Sequence, residues 1–132
     1  MKREIIYPAI YKHFKNELEP EKYIYATMGI SEPIEREQIQ KWYEELKESE
    51  KLENFQSIYC KHTETKKTFL TCKINGKLYH EKSKYDCQLV LYKSLYDDAI
   101  AYARPLEMFA GKVDKEKYPE IKQEFRFELV RY

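Results

Sequence analysis

LVLYKSLYDDAIAYARPLEMFAGKV, residues 89–113, is the stretch on which the fold turns. Alternation puts Leu89, Leu91, Lys93 and Leu95 on one face and Val90, Tyr92, Ser94 and Tyr96 on the other. Both faces are largely apolar or aromatic, which predicts a central strand covered on both sides. Asp97-Asp98 reads as the reversal, because short carboxylates hydrogen-bond their own backbone. A return strand follows from Ala99 to Ala103, with small residues around Ile100 and Tyr102 that let backbone or a ligand approach. Pro105 removes a ladder donor and ends that strand at Arg104. Leu106 and Phe109, three apart, predict one helical turn, and Gly111 is placed to end it.

Working outward, Tyr23 to Met28 alternates as a strand that Gly29 punctuates. Ser31 reads as an N-cap, with Glu32 and Pro33 in the first turn. Ile39, Trp42, Tyr43 and Leu46 then form an i, i+3, i+4, i+7 stripe. This predicts an amphipathic helix over about 32–50, packed on the sheet. Phe55 to Cys60 is a further strand, and Lys61 to Lys66 a polar turn. Lys67 to Lys73 and Lys77 to Glu81 flank Asn75-Gly76, which predicts a type I′ hairpin. Residues 1–10 read as a lead-in ending near Tyr7-Pro8, and Asn16 to Pro20 as a polar loop. Asp114 to Glu124 is charged and broken at Pro119, and Phe125 to Tyr132 reads as a closing strand. Short strands with one clear helix indicate an α+β, mainly β domain: a small, strongly curved antiparallel sheet or a small barrel.

The chain has 132 residues, which suits a single domain over 1–132 with a core of its own. Its 24 basic and 23 acidic side chains leave a net charge of +1, so no global field draws it to nucleic acid or membrane. The 13 tyrosines outnumber phenylalanine and tryptophan together and suit a core edge, an interface or a stacking pocket. The N-terminal MKREIIYPAI lacks the apolar run of a signal peptide, and no segment reaches bilayer-spanning length; a cytoplasmic protein is expected. Cys60, Cys72 and Cys87 have no C-x-x-C spacing, so buried, reduced thiols are expected rather than zinc or disulfides.

The three glycines are isolated and form no phosphate loop, and neither H-E-x-x-H nor G-x-S-x-G occurs. A Cys/His pair remains open, although all three thiols lie in or beside strand patterns. His62 with Glu64 could act as a base and its orienter, or occupy an idle polar turn. The balance is against an enzyme, and no cofactor or metal is expected. His13 and Lys15 in YKHFK, residues 11–15, either face an anionic ligand or sit on the surface beside a core Phe14. Arg104 stands where a strand gives way to a helical turn. Its guanidinium could clamp phosphate or carboxylate bidentately, or pair internally with Glu107. Arg126, between two phenylalanines, carries the same ambiguity.

YKHFK at 11–15, KHTET at 61–65, LVLYKSLYDD at 89–98, RPLEMF at 104–109 and FRF at 125–127 together resemble a small bacterial and phage family, domain of unknown function 1653. Its members read roughly Y-x-H-F-K, H-S-E-T, V-Y-x-x-L-Y, R-P-L-x-M-F and R-F, in that order. The segment near 30–54 and the Asn-Gly hairpin look like insertions, and Asn16 replaces the glycine usual after H-F-K. The resemblance implies a compact domain similar to an SH3-like barrel, and no settled activity. Carried over by motif, the matched positions are Tyr11, His13, His62, Glu64, Tyr92, Tyr96, Arg104, Glu107 and Arg126, which form one shared pocket or a structural network. The expectation is a non-catalytic binding domain whose pocket near Arg104 takes a small anionic, nucleotide-like ligand; by analogy it would sequester a signal. The alternative is a protein–protein adaptor using tyrosine-rich strands or the inserted helix, with a homo-oligomer left open.

Overall fold

The structure, a computed structural model, describes residues 3–131. Eight strands form one sheet: β1 (Ala9–His13), β2 (Ile24–Ile34), β3 (Phe55–His62), β4 (Thr68–Ile74), β5 (Lys77–Glu81), β6 (Leu89–Ser94), β7 (Ala101–Pro105) and β8 (Phe127–Arg131). Two helices accompany them, α1 (Arg36–Glu48) and the single turn α2 (Leu106–Phe109). The protein is therefore mainly β, as its alternation predicts.

Strand β6 is central and covered on both faces. Val90 and Tyr92 enter one apolar cluster with Tyr11, Tyr25, Phe109 and Phe127. Leu89 and Leu91 enter a second, with Cys60, Phe69, Leu78 and Ala103. The strand pairs with β7 on one edge and with β2 on the other.

The eleven-residue β2 connects the sheet. Its first half pairs with β1, and Ser31 to Ile34 run parallel to β5. The pairings β2–β5–β4–β3–β7–β6–β2 thus return on themselves, with β1 and β8 as an extension. Two pairings, β2–β5 and β3–β7, are parallel, so the sheet is mixed rather than antiparallel throughout.

Several predicted boundaries shift for physical reasons. Ser31 does not cap the helix: it is fully buried, and its hydroxyl meets His80 Nδ1 at 2.7 Å. β2 runs through Gly29, Glu32 and Pro33, and α1 starts after Glu35, which gives no side-chain cap. Nor does α1 bury any residue. Trp42 rests on Tyr79 at 5.0 Å and Tyr43 on Phe55 at 5.2 Å, so the stripe is only partly covered. Asp97 Oδ1 accepts the Ala99 amide as in an Asx turn, but the reversal takes residues 95–100, and Ala99 and Ile100 lie outside β7.

The Asn75-Gly76 hairpin forms as predicted, with φ of 50° and 85° at its two central residues. The lead-in is shorter than predicted, because Ala9 and Ile10 already belong to β1; Met1 and Lys2 lie outside the described residues. Tyr132 of the predicted closing strand also falls outside them. Cys60 and Cys72 are buried and reduced, whereas Cys87 is exposed. The charged 112–124 segment closes over Phe14 through Val113 and Ile121. The Lys115 ammonium there donates to the Ile121 and Gln123 carbonyls.

Candidate functional site

Register determines the site. Lys61, Tyr102, Tyr92 and Thr27 are successive partners across β3, β7, β6 and β2, so their side chains form one row on one face. Arg104 lies two residues beyond Tyr102 on that face. Thr63 reaches it from the turn after β3, its amide donating to the Ala103 carbonyl. Tyr25, on the other side of the row, belongs to the same apolar cluster as Tyr92. α2 and β8 cover the middle of this face with Phe109 and Phe127, whose rings stack at 4.1 Å. What they leave open is a cleft of about 310 Å³ walled by Tyr23, Tyr25, Tyr92, Tyr96 and Tyr102, with Lys61, Thr63, Lys66 and Arg104 on its other side.

The tyrosines pack mainly on one another. Tyr25 meets Tyr92, Tyr96 and Tyr102 edge to face at 5.2, 5.8 and 6.3 Å. Its hydroxyl shares a 3.2 Å hydrogen bond with that of Tyr96. Burial, reinforced by that bond, drives the Tyr25 phenol pKa well above its ordinary value. Burial likewise pushes Tyr92 up to about 12, although the neighbouring Arg104 guanidinium opposes the shift. Tyr102 is raised by burial and then by Asp97. At neutral pH these phenols are donors, not anions.

Arg104 lies with its guanidinium carbon 5.1 Å from the centre of the Phe127 ring, within cation–π range. Its Nε is buried and has no hydrogen-bond partner. Among the described residues no carboxylate lies within ion-pair distance of Arg104, Lys61 or Lys66. Glu107, the internal partner weighed for Arg104, is exposed on α2, where it helps raise the pKa of the Cys87 thiol. The cleft is therefore lined by hydroxyls and fixed positive charge, with no carboxylate among its lining residues.

Of the nine positions drawn from the motifs, Arg104, Tyr92 and Tyr96 converge there. His13 stands behind them: its ring packs on Phe14 and Phe127, and its Nδ1 accepts the Lys15 amide at 3.2 Å. Burial first, then Arg104, Lys15 and Arg126, lowers its pKa to about 3. Glu64 sits beside the cleft and accepts from the Thr63 hydroxyl.

The remaining positions do other work. Tyr11 is buried in the core, its hydroxyl accepting the Ile6 amide. His62 faces the second cluster, stacked on Tyr85 at 4.1 Å, and its Nδ1 accepts the Glu64 and Thr65 amides. It therefore shapes the turn and does not reach the cleft; burial lowers its pKa. The Arg126 backbone ties Phe14 to Gly111, and its side chain lies by Gly111. Tyr23, Tyr25, Tyr102, Lys61, Thr63 and Lys66 line the cleft as well, although none is among those nine positions; Lys61 and Thr63 do lie within KHTET. Alternation in Tyr23-Ile24-Tyr25 and Ala101-Tyr102-Ala103 hints at the tyrosines. The lysines depend on the parallel β3–β7 pairing, which has no local signature.

Among the described residues no group of three or more His, Cys, Asp or Glu could hold a metal ion, and no helix is long and apolar enough to cross a membrane. Fold and cleft together define a small, mainly β, single-sheet domain with a tyrosine-walled, positively charged pocket. Residues 76–129 match the family model described as Protein of unknown function (DUF1653), the family that the sequence motifs resemble. The match begins at Gly76, inside the Asn-Gly hairpin, and ends in β8. It contains Tyr92, Tyr96, Tyr102 and Arg104 but not YKHFK or KHTET, so β2 and β3 complete the cleft from outside it. No curated protein and no solved structure gave a match.

Proposed function

We propose that the protein is a non-catalytic binding domain whose tyrosine-walled cleft takes a small anionic, nucleotide-like ligand. One observation carries this reading: Arg104, with Lys61 and Lys66, faces a walled cleft with no carboxylate partner. A half-buried guanidinium with an unsatisfied Nε is a loss on folding unless something else compensates it. A volume of about 310 Å³ lies at the small end of ligand pockets. The ring of strand pairings also supports reading the fold as a small barrel of the SH3-like kind. Sequestration of a signal would follow from tight retention in such a pocket.

Native mass spectrometry of gently purified protein tests the reading. A mass excess that disappears on denaturation is expected, and Arg104→Ala should weaken its retention at least ~10-fold, the lower end for hydrogen bonds to a charged group. Retention unaffected by that substitution would move the site elsewhere.

A second reading, a protein–protein adaptor, is favoured by one observation: α1 carries an apolar stripe yet buries none of it fully. Replacing Trp42 and Leu46 with Gln would then abolish an assembly while leaving the β fold intact.

A further inference from the structure

The charged side chains that line the cleft are all cationic. Lys61 comes from β3, Lys66 from the turn after it, and Arg104 from β7, so three cations reach the same cleft from three chain positions. Lysine and arginine are donors only, and the raised phenols of Tyr25, Tyr92 and Tyr102 keep their protons to donate. The acidic groups nearby stand beside this set: Glu64 next to Thr63, Asp97 near Tyr102, and Glu19 near Tyr23 and bridged to Lys22.

A carboxylate would present two coplanar oxygens and neutralise one of the three charges. A phosphate monoester presents three terminal oxygens in a tetrahedral array and up to two charges, which donors arriving from several directions can meet together. The tyrosines already contact one another, edge to face around Tyr25 and tilted in Tyr92–Tyr102 and Tyr23–Tyr96, and leave no slot between two parallel rings. The organic part of the ligand must therefore lie against ring edges and one exposed face.

Resting on the binding reading above, we infer that the ligand is a phosphate monoester bound as its dianion, its phosphate between Arg104, Lys61 and Lys66 and its organic group against the tyrosines. Phosphate monoesters lose their second proton near pH 6, so about a quarter remain dianionic at pH 5.5 against nearly all at pH 7.5. His13, the imidazole beside Arg104, stays neutral across this range, and His62 is on the opposite face.

The test is calorimetric titration with phenyl phosphate and phenyl sulfate, which share shape but not charge, against the wild type, Arg104→Gln and Lys61→Gln. Lys61 is exposed on its strand, so its replacement should preserve the fold even where Arg104→Gln does not. Phenyl phosphate should bind at least ~10-fold more tightly at pH 7.5, and that preference should fall about fourfold by pH 5.5. Phenyl sulfate does not titrate there, so it reports any pH effect of the protein itself. Lys61→Gln should weaken phosphate more than sulfate. Equal binding of the two probes would overturn the dianion inference and leave the anionic cleft standing. A preference that survives both substitutions would also overturn it, by placing the phosphate elsewhere. Failure of both probes to bind would overturn the inference and the binding reading together.

Discussion

His13 should make the protein acid-sensitive well above the carboxylate range. Its Nδ1 accepts the Lys15 amide, so the folded imidazole is the neutral Nε2–H tautomer, and Arg104, Lys15 and Arg126 add to the burial that opposes a charge. In the unfolded chain the same ring titrates near pH 6.5. A histidine whose folded pKa is depressed leaves the unfolded state binding more protons, so stability is full above about pH 6.5 and falls as pH drops below it. For His13 the fall continues to about pH 3. Between pH 7 and pH 5 this one residue should remove about 2 kcal/mol, from about 1.4 kcal/mol per pH unit once the unfolded ring is mostly protonated. His62 and His80, also lowered by burial, act in the same direction. Glu17, held down by the Lys122 and Gln123 amides, acts only at lower pH. Urea unfolding at pH 7, 6 and 5 gives the measurement. His13→Asn keeps an acceptor for the Lys15 amide and should lose about 2 kcal/mol less than the wild type over that interval, whatever its stability at pH 7. A pH dependence identical to that of the wild type would refute the assignment of a neutral, half-buried His13.

Three further outcomes are expected. Ser31→Ala leaves His80 Nδ1 buried without its 2.7 Å partner and should cost about 1–3 kcal/mol in urea unfolding; a loss under half that would mean water replaces the hydroxyl. Gly76→Ala meets no atom within 4 Å but must hold φ near 85°, so thermal unfolding should show a loss of about 1–2 kcal/mol from backbone strain alone. Trp42→Ala should cost less than about 2 kcal/mol because α1 is half-covered, whereas Phe127→Ala, stacked on Phe109 in the core, should cost about 3–5 kcal/mol; equal losses would show α1 to be integral to the core.

What the sequence discloses of this fold is what short-range physics writes into it. Asn75-Gly76 announces its hairpin because two consecutive positive φ values suit those residues, and β6 announces its burial because neither face is polar. Ser31 misleads because an N-cap serine and a buried strand serine look alike. What separates them is His80, 49 residues away, positioned by a parallel pairing with no local signature. The site divides the same way. Arg104 is conspicuous beside Pro105, and Tyr92 and Tyr96 stand in the alternation of β6 and its continuation. Lys61 and Lys66 look like any polar turn until β3 is laid parallel to β7. His62 looks like a candidate base until its ring is seen bonding its own turn and facing away.

Arg104 owes its position to the same pairing that hides its companions. Elsewhere in the molecule a guanidinium finds an acid: Arg36, at the start of α1, meets Glu81 at 3.6 Å. Arg104 instead projects from a face whose neighbours are the aromatic rings of β2, β6 and β8, and neither Glu64 nor Glu107 comes within ion-pair distance of it. Phe127 supports its flat face, but a ring quadrupole compensates a charge only in part, by about 0.5–2 kcal/mol. The sheet therefore fixes the arginine in place, withholds a carboxylate from it, and leaves it open to a cleft. An anion that enters gains from charge already held in position, with little side-chain ordering left to offset the binding. Substituting Lys66, exposed at the cleft, with Glu would supply the missing acid without touching the core. That variant should keep its fold and lose affinity for anions at least ~10-fold, and retained affinity would show that the positive charge of the cleft is not what holds the anion.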